Sequence, residues 1–305
     1  MSADGAVRIR IGTRGSKLAL AQANGVARLL EKLGAAVEIS VIRTSGDAGA
    51  EPLSESPTGI FVREIEQALL SGEVDLAIHS LKDLPTERRP GLTICAIPER
   101  ADPHDALVTQ SGGGLSDLLP GSKVATSSPR RAAQLRAHRP DLVMVGVRGN
   151  VDTRLRKLEE QQFDAVVLAY AGLARLGLRD RVSEVIPFEV CLPAPGQGAL
   201  ALQTRSESGE VGELIRRLDH QPTRLAVTAE RAFLAGLGVG CTVPAGALGL
   251  VQGDWMRLQG VVAEAAGASV LRREVTGPAQ EAESMGSALA DELLGLGAHR
   301  MVSER

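Results

Sequence analysis

The sequence predicts an α/β protein that ends in a smaller α+β unit. Three observations predict it. Strand-like and helix-like patterns alternate from Val7 to Leu176, the pattern of mainly parallel, helix-covered sheets. Two proline-bearing stretches, Pro98–Pro103 and Pro193–Gly198, interrupt the alternation like hinges. Beyond about Pro222 the order becomes helix, strands, helix.

In chain order, Val7–Ile11 alternates apolar and basic residues, as a strand does, and Lys17–Leu33 follows with helical spacing. Val37–Arg43 is a second strand. Thr44–Gly59 is a long loop rich in Gly, Ser, Pro and acid, of the kind that carries function or moves. Phe61–Leu70 is an amphipathic helix, and Val74–Ser80 and Leu92–Ile97 are strands. The second run places strands at Asp105–Thr109, Lys123–Thr126, Leu142–Val147 and Ala165–Ala169. Its helices are Ser128–Arg139, Val151–Gln161 and Ala171–Leu176. Ala199–Gln203 is a strand able to return to the first sheet. A helix at Arg224–Leu234, strands at Ala245–Val251, Trp255–Val262 and Ser269–Val275, and a helix at Gln280–Leu296 complete the chain. The expected domains are 1–98 with 199–218, then 103–193, then 222–305.

A chain of 305 residues suits two or three domains. A net charge of −3 and an aromatic content of 2% leave little for gripping and stacking on nucleic acid. The first residues contain no apolar core of a signal peptide, and no apolar run reaches membrane-spanning length. Cys95, Cys191 and Cys241 are odd in number and lack metal-site spacing. A cytoplasmic protein with reduced thiols, no metal and no membrane partner is expected.

The arginines are more telling than the total charge. Arg14 lies at the start of a helix. So do Arg130 and Arg131, after Ser128 as N-cap and Pro129 as first helical residue. Arg148 ends a strand, and Arg154 sits in the early turns of the next helix. A cation at a helix N-terminus opposes the helix dipole, so the pattern makes sense where an anion binds. Arginine's planar fork matches carboxylates and phosphates. Any single arginine could instead be a solvated surface charge; the repetition at successive strand–helix junctions points to a ligand with several acidic groups. Asp83, after the strand ending in His79-Ser80-Leu81-Lys82, would stay ionised near such arginines and would suit a reaction that makes a cation. It could equally be a loop-capping residue before Pro85. His79 reads as a packed strand-end residue. Cys241, in Gly238-Val239-Gly240-Cys241-Thr242-Val243-Pro244, is either a covalent attachment point in a glycine-opened loop or a small buried hydrophobe.

Six short motifs, in order, carry a resemblance. They are Ile11-Gly12-Thr13-Arg14 with Leu18-Ala19-Leu20-Ala21-Gln22; His79-Ser80-Leu81-Lys82-Asp83-Leu84-Pro85; Thr126-Ser127-Ser128-Pro129-Arg130-Arg131; Val147-Arg148-Gly149-Asn150-Val151-Asp152-Thr153-Arg154-Leu155; Leu192-Pro193-Ala194-Pro195-Gly196-Gln197-Gly198-Ala199; and Gly240-Cys241. Together they resemble the porphobilinogen deaminase (hydroxymethylbilane synthase) family over nearly the whole chain. The resemblance implies two doubly wound α/β domains like those of periplasmic binding proteins, and a small α+β C-terminal domain bearing the cysteine. It implies a cytoplasmic monomer that condenses four porphobilinogen molecules head to tail, releasing ammonia and then hydroxymethylbilane, in haem biosynthesis. The implied cofactor is a dipyrromethane joined to Cys241 through a thioether.

By the same resemblance, Asp83 would be catalytic, stabilising positive charge on pyrrole nitrogens and moving protons. Lys82, Asp83, Ser128, Arg130, Arg131, Arg148 and Arg154 would hold the cofactor. Arg10, Arg14, Phe61, Arg148, Arg154, Arg175 and Gln197 would contact substrate. The chain departs from the family where Thr58 and Arg63 replace common lysines, and where Pro129 replaces an aliphatic residue. The rival expectation is a non-catalytic binder of small polyanions on the same scaffold; nucleic-acid binding is the weakest.

Overall fold

A computed structural model describes residues 6–42, 62–87, 89–238 and 244–303. The chain divides into two compact units, Met1–Arg100 with Ala199–Thr223, and Ala101–Gly198 with Arg224–Arg305. The first stretch forms β1 (Arg8–Thr13), α1 (Lys17–Lys32), β2 (Ala36–Val41), α2 (Arg63–Leu70), β3 (Leu76–Ser80) and β4 (Leu92–Ala96). The second forms β5 (Asp105–Thr109), β6 (Lys123–Ala125), α3 (Pro129–His138), β7 (Val143–Val145), α4 (Val151–Glu159), β8 (Ala165–Ala169), α5 (Tyr170–Arg175) and β9 (Glu184–Ile186). The chain continues through β10 (Leu200–Arg205), α6 (Gly209–Arg216), α7 (Gln221–Gly236), β11 (Ala245–Gln252), β12 (Trp255–Ala263), β13 (Val270–Pro278), α8 (Ala282–Gly295) and α9 (Ala298–Ser303).

The first unit holds a sheet of order β2-β1-β3-β10-β4, the second a sheet of order β7-β6-β8-β5-β9. In each, four of the five strands run the same way, and the fourth in that order, β10 or β5, is antiparallel to both of its neighbours. The expected mainly parallel arrangement therefore has one reversed strand per sheet. That strand, β5 or β10, is the first laid down after the chain passes from one unit to the other, so no crossover helix forces it parallel.

Strand alternation sends successive side chains to opposite faces, and helices cover both. In the first sheet Leu76 and Ile78 join Ile9, Ile11, Ala23, Val26 and Leu30 beneath α1. Ala77, between them in sequence, joins Ile65 and Leu69 beneath α2. The second sheet repeats this, with Val166 and Leu168 beside Leu155 of α4, and Ala165 and Val167 beside Leu135 of α3.

The third sheet is an antiparallel meander, β11-β12-β13. Phe233 of α7 and Leu289 and Leu293 of α8 pack on Met256 and Leu258 of β12. Leu248 and Val261 point the other way and meet Leu192. Full burial of a side chain such as Phe233 contributes about 1.5–3 kcal/mol.

Ser16, Ser128 and Asn150 cap α1, α3 and α4 with their side chains. Three elements escape the sequence patterns: β9 has three residues, α6 carries two glycines, and α9 is a short terminal turn. The expected helix from Phe61 begins at Arg63; Phe61 and the loop before it lie outside the described residues.

Gly286 sets the α7–α8 distance, since a Cβ there would lie 2.2 Å from the Ala229 carbonyl oxygen and 2.7 Å from Ala232 Cβ. Gly286→Ala is expected to part these helices and cost about 1–3 kcal/mol, read as a lower midpoint in urea unfolding.

Candidate functional site

In both doubly wound sheets the first parallel strand sends its helix to one side and the next parallel strand arrives on its other side. Side chains at the carboxyl ends of those two strands border the crevice where such sheets take ligands. In the first unit the strands are β1 and β3, in the second β6 and β8.

In the first unit, β1 ends at Thr13, Arg14 follows, and Ser16 Oγ accepts from Ala19 N at 3.3 Å to open α1. Arg14 is half-buried. β3 runs into a 3₁₀ turn, Leu81–Asp83. Leu81 is buried and donates its N–H to Ala199 O just before β10, at 3.0 Å. That anchor leaves Asp83 exposed and Lys82 half-buried at the strand end. Gln22 of α1, itself buried, donates to Ser80 Oγ at 2.9 Å.

His79 is buried and shares a hydrogen bond with Gln203 at 2.9 Å, and Gln203 donates to Glu66 at 2.9 Å. Burial lowers the His79 pKa, so the imidazole is a neutral support at physiological pH. Arg10 does not join this edge. Its guanidinium meets both oxygens of Asp75 at 2.9 Å and the Gly72 carbonyl at 2.8 Å. Asp75 immediately precedes β3, at the strand end opposite Asp83. Partial burial pushes the Asp75 carboxyl up, but hydrogen bonds from Arg10 and Arg205 outweigh it and hold the pKa below the ordinary range.

In the second unit, Pro129 starts α3 and Ser128 Oγ accepts from Arg131 N at 3.5 Å. After β7, Asn150 Oδ1 accepts from Thr153 N at 3.0 Å to start α4. Ser127 Oγ accepts from Val147 N at 3.1 Å and donates to Val147 O, which draws the two helix-starting loops together. Arg148 is exposed beside the α4 N-terminus. Arg154 Nε donates to Gly149 O at 2.8 Å, and Arg175 of α5 donates to Gly198 O at 2.7 Å. Among the described residues neither has a carboxylate partner. Burial, then the nearby charge of Arg131, lowers the Arg154 pKa; burial lowers that of Arg175.

Beneath this edge lies a group that the sequence patterns did not reveal. Asp105, the first residue of β5, is fully buried. Because β5 runs antiparallel to β8, Asp105 pairs in register with Ala169 at the carboxyl end of β8. Its carboxylate takes Arg130 Nη1 at 2.7 Å, Arg131 Nη2 at 2.6 Å and Arg131 Nε at 2.9 Å. Gln197, also fully buried, donates to Asp105 Oδ1 at 2.9 Å and to Pro103 O at 2.7 Å. Burial pushes the Asp105 pKa up, but the two guanidiniums overwhelm it and hold the carboxyl well below the usual range. Burial pushes the adjacent Cys191 thiol up to about 12, so it is no nucleophile.

Arg130, placed by sequence among the cofactor ligands, is buried, with Nη1 also on Leu192 O at 2.6 Å. Its Nε is buried without a hydrogen-bond partner among the described residues. Gln197, expected to touch substrate, spends its amide on the Asp105 cluster. The one signal for that cluster in the sequence was an aspartate heading an otherwise apolar strand, Asp105-Ala106-Leu107-Val108, which needs a buried cation. Cys241, Phe61 and Thr58 lie outside the described residues.

The second unit's edge is thus rich in guanidinium beside two helix N-termini, a donor set for acidic groups. The first unit's edge presents a solvated carboxylate. Comparison with known proteins supplies the family. The family model described as porphobilinogen deaminase, dipyromethane cofactor binding domain, matches residues 9–213. The model for the C-terminal domain of porphobilinogen deaminase matches residues 224–295.

The chain belongs to the porphobilinogen deaminase family.

Porphobilinogen deaminase of Pelotomaculum thermopropionicum is 51% identical over 294 residues, covering 95% of this chain and 94% of its own. That of a Roseiflexus species is 50% identical over 297 residues, covering 96% and 98%. That of Thermus thermophilus is 48% identical over 297 residues, with the same coverage. A nutrient binding protein from Burkholderia cenocepacia bound to methionine overlays 68% of this chain and 90% of its own, at a TM-score of 0.41 and 16% identity, too faint a likeness to carry function. Among the described residues no helix is long and apolar enough to cross a membrane, and no cluster of acidic, histidine or cysteine side chains could hold a metal ion.

Asp105→Asn is expected to leave two buried guanidiniums without their anion and to cost about 3–5 kcal/mol. Asp105 binds no proton in the folded state at pH values where the unfolded carboxyl, near 3.8, already does. Its stabilisation is therefore complete above that value and is lost as pH falls below it. Urea unfolding between pH 7 and pH 3 should show this decline in the parent protein and a flatter profile in Asp105→Asn.

Proposed function

We propose that this chain condenses four porphobilinogen molecules into hydroxymethylbilane with release of ammonia. Membership of the family supports the reaction, and the second unit's edge supports the substrate class. The observation that carries the reading is the pair Arg154 and Arg175, part-buried cations with lowered pKa values and no carboxylate partner among the described residues. Part-buried cations of this kind are costly unless a ligand supplies the anion. A chain of pyrroles bearing acetate and propionate groups supplies many.

A dipyrromethane fits the same donors, because the orphaned Arg130 Nε and the α3 and α4 N-termini suit its carboxylates. Bound by a thioether to Cys241, it supplies the primer to which substrate units are added. Ser128, Arg131, Arg148, Arg154 and Lys82 would hold its acidic groups, with Arg14 and Arg175 on substrate carboxylates. Arg130 would fix Arg131 through Asp105 and turn its Nε to the cofactor, while Arg10 and Gln197 act as structural supports. Asp83, exposed after β3, would hold positive charge on pyrrole nitrogens and shuttle protons. The domain division expected from sequence, 1–98 with 199–218, 103–193 and 222–305, is retained as one sheet per domain. We place the protein in the cytoplasm as a monomer acting on a small molecule rather than on nucleic acid; the buried free thiols of Cys95 and Cys191 fit a reducing compartment. Nothing favours the non-catalytic binder.

Intact mass of the freshly purified protein should exceed the sequence mass by two linked pyrrole units, and Cys241→Ser should show the sequence mass alone and no turnover. A bare parent mass in active protein would sink the cofactor assignment. Asp83→Asn should keep the added mass while kcat falls by about 10²–10⁴.

A further inference from the structure

The helix that begins with Arg130 and Arg131 is gripped further along by the third sheet. Arg272 of β13 is half-buried, and its Nη2 donates to Gln134 Oε1 in α3 at 2.9 Å. The same guanidinium donates to Phe188 O at 2.9 Å and Val190 O at 3.3 Å. Gln134 is fully buried one turn after Arg130, with Nε2 on Leu192 O at 3.1 Å and Oε1 accepting Leu192 N at 2.9 Å. Leu192 O also takes Arg130 Nη1. A single set of buried, directional bonds thus runs from β13 through Gln134 and Leu192 to the head of α3.

A second contact is made by the turn between β12 and β13. Gly267, at φ +76°, lies so close to α3 that a Cβ would stand 2.7 Å from Arg136 Cβ and 2.9 Å from both Ala133 O and Ala137 N. Arg136 Nη1 closes the contact on Ala265 O at 2.8 Å. Hydrogen bonds to Gln134 fix the rotation of α3 about its axis, and the turn fixes its height. Arg131 and Ser128 share that rigid helix, so both settings pass to them.

We infer that Arg272 and Gly267 are positioning residues that set how the α3 N-terminus meets ligand carboxylates, without touching ligand themselves. The inference rests on the carboxylate-binding role given to that terminus under the proposed function. It makes the third sheet a determinant of substrate affinity in addition to being the part of the chain that follows Cys241.

The test uses the holoprotein with Arg272→Gln, Arg272→Lys and Gly267→Ala. Arg273→Gln is the control, since its exposed neighbouring side chain pairs with Glu292 at 3.1 Å. Hydrogen exchange over residues 128–138 and steady-state kinetics with porphobilinogen are measured together. Arg272→Gln and Gly267→Ala should speed exchange in α3 and raise KM by about 3- to 30-fold, with kcat changed less. Arg272→Lys should fall between, because an ammonium can satisfy some of the three acceptors but not in the planar fork. Arg273→Gln should match the parent in both readouts. Unchanged exchange in α3, an unchanged KM, or equal effects in the control would overturn the inference. If the parent failed to consume porphobilinogen, the proposed function would fall, while the exchange measurement would still decide whether the third sheet holds α3.

Discussion

The second unit depends on one buried carboxylate. Asp105 lies between two guanidiniums that are themselves almost wholly inside the protein. Taking each ion out of water costs several kcal/mol, so neither arginine could sit there alone. Asp105, Gln197 and the carbonyls of Leu192 and Val167 together offset that cost. Charge is still not balanced. One carboxylate faces two arginines, and Arg154 lies within electrostatic reach of Arg131. The α3 N-terminus adds partial positive charge. A chain with a net charge of −3 thereby builds a locally cationic edge.

The reversed strands are what make this possible. A parallel strand entering the second sheet at the position of β5 would start at the far edge and carry Asp105 away from the carboxyl ends of β6 and β8. Running antiparallel, β5 starts where those strands finish, with Asp105 opposite Ala169. The first unit repeats the device. β10 starts opposite Ser80, and Ala199 just before it accepts the Leu81 N–H that pins the turn bearing Asp83. In both units the passage of the chain from one unit to the other delivers backbone or side-chain support to the ligand-facing edge.

Much of this was legible in the residues. Alternation of strand and helix, the cap at Ser128, and the arginines at strand–helix junctions rest on local patterns, and the elements follow those patterns to within a few residues. What local pattern could not carry was pairing at long range. Arg10 stands with Arg14 and Arg148 only through the family resemblance, and Asp75, sixty-five residues away, is what holds it. Only that resemblance makes Gln197 a substrate contact, yet its partner Asp105 is ninety-two residues distant. The mainly parallel sheets were legible too, but the sense of β5 and β10 was not, since alternation encodes a crossover and not the direction of a strand that arrives from another unit.

Two aspartates show how burial divides the chemistry. Asp105 and Asp83 each stand at the strand edge where their own sheet would take a ligand, and a carboxylate at such an edge would compete with an acidic ligand for cations. Asp105 resolves the conflict by being fully buried and consumed, so that its negative charge lowers the cost of the guanidiniums without confronting a ligand. Asp83, in the first sheet, is instead exposed to solvent at the end of the 3₁₀ turn that follows β3. Under the proposed function, Asp83 would meet positive charge formed in the reaction, while Asp105 would support arginines that bind acidic groups. Within its own sheet each carboxylate has a different environment, buried and paired with two guanidiniums for Asp105 and exposed for Asp83.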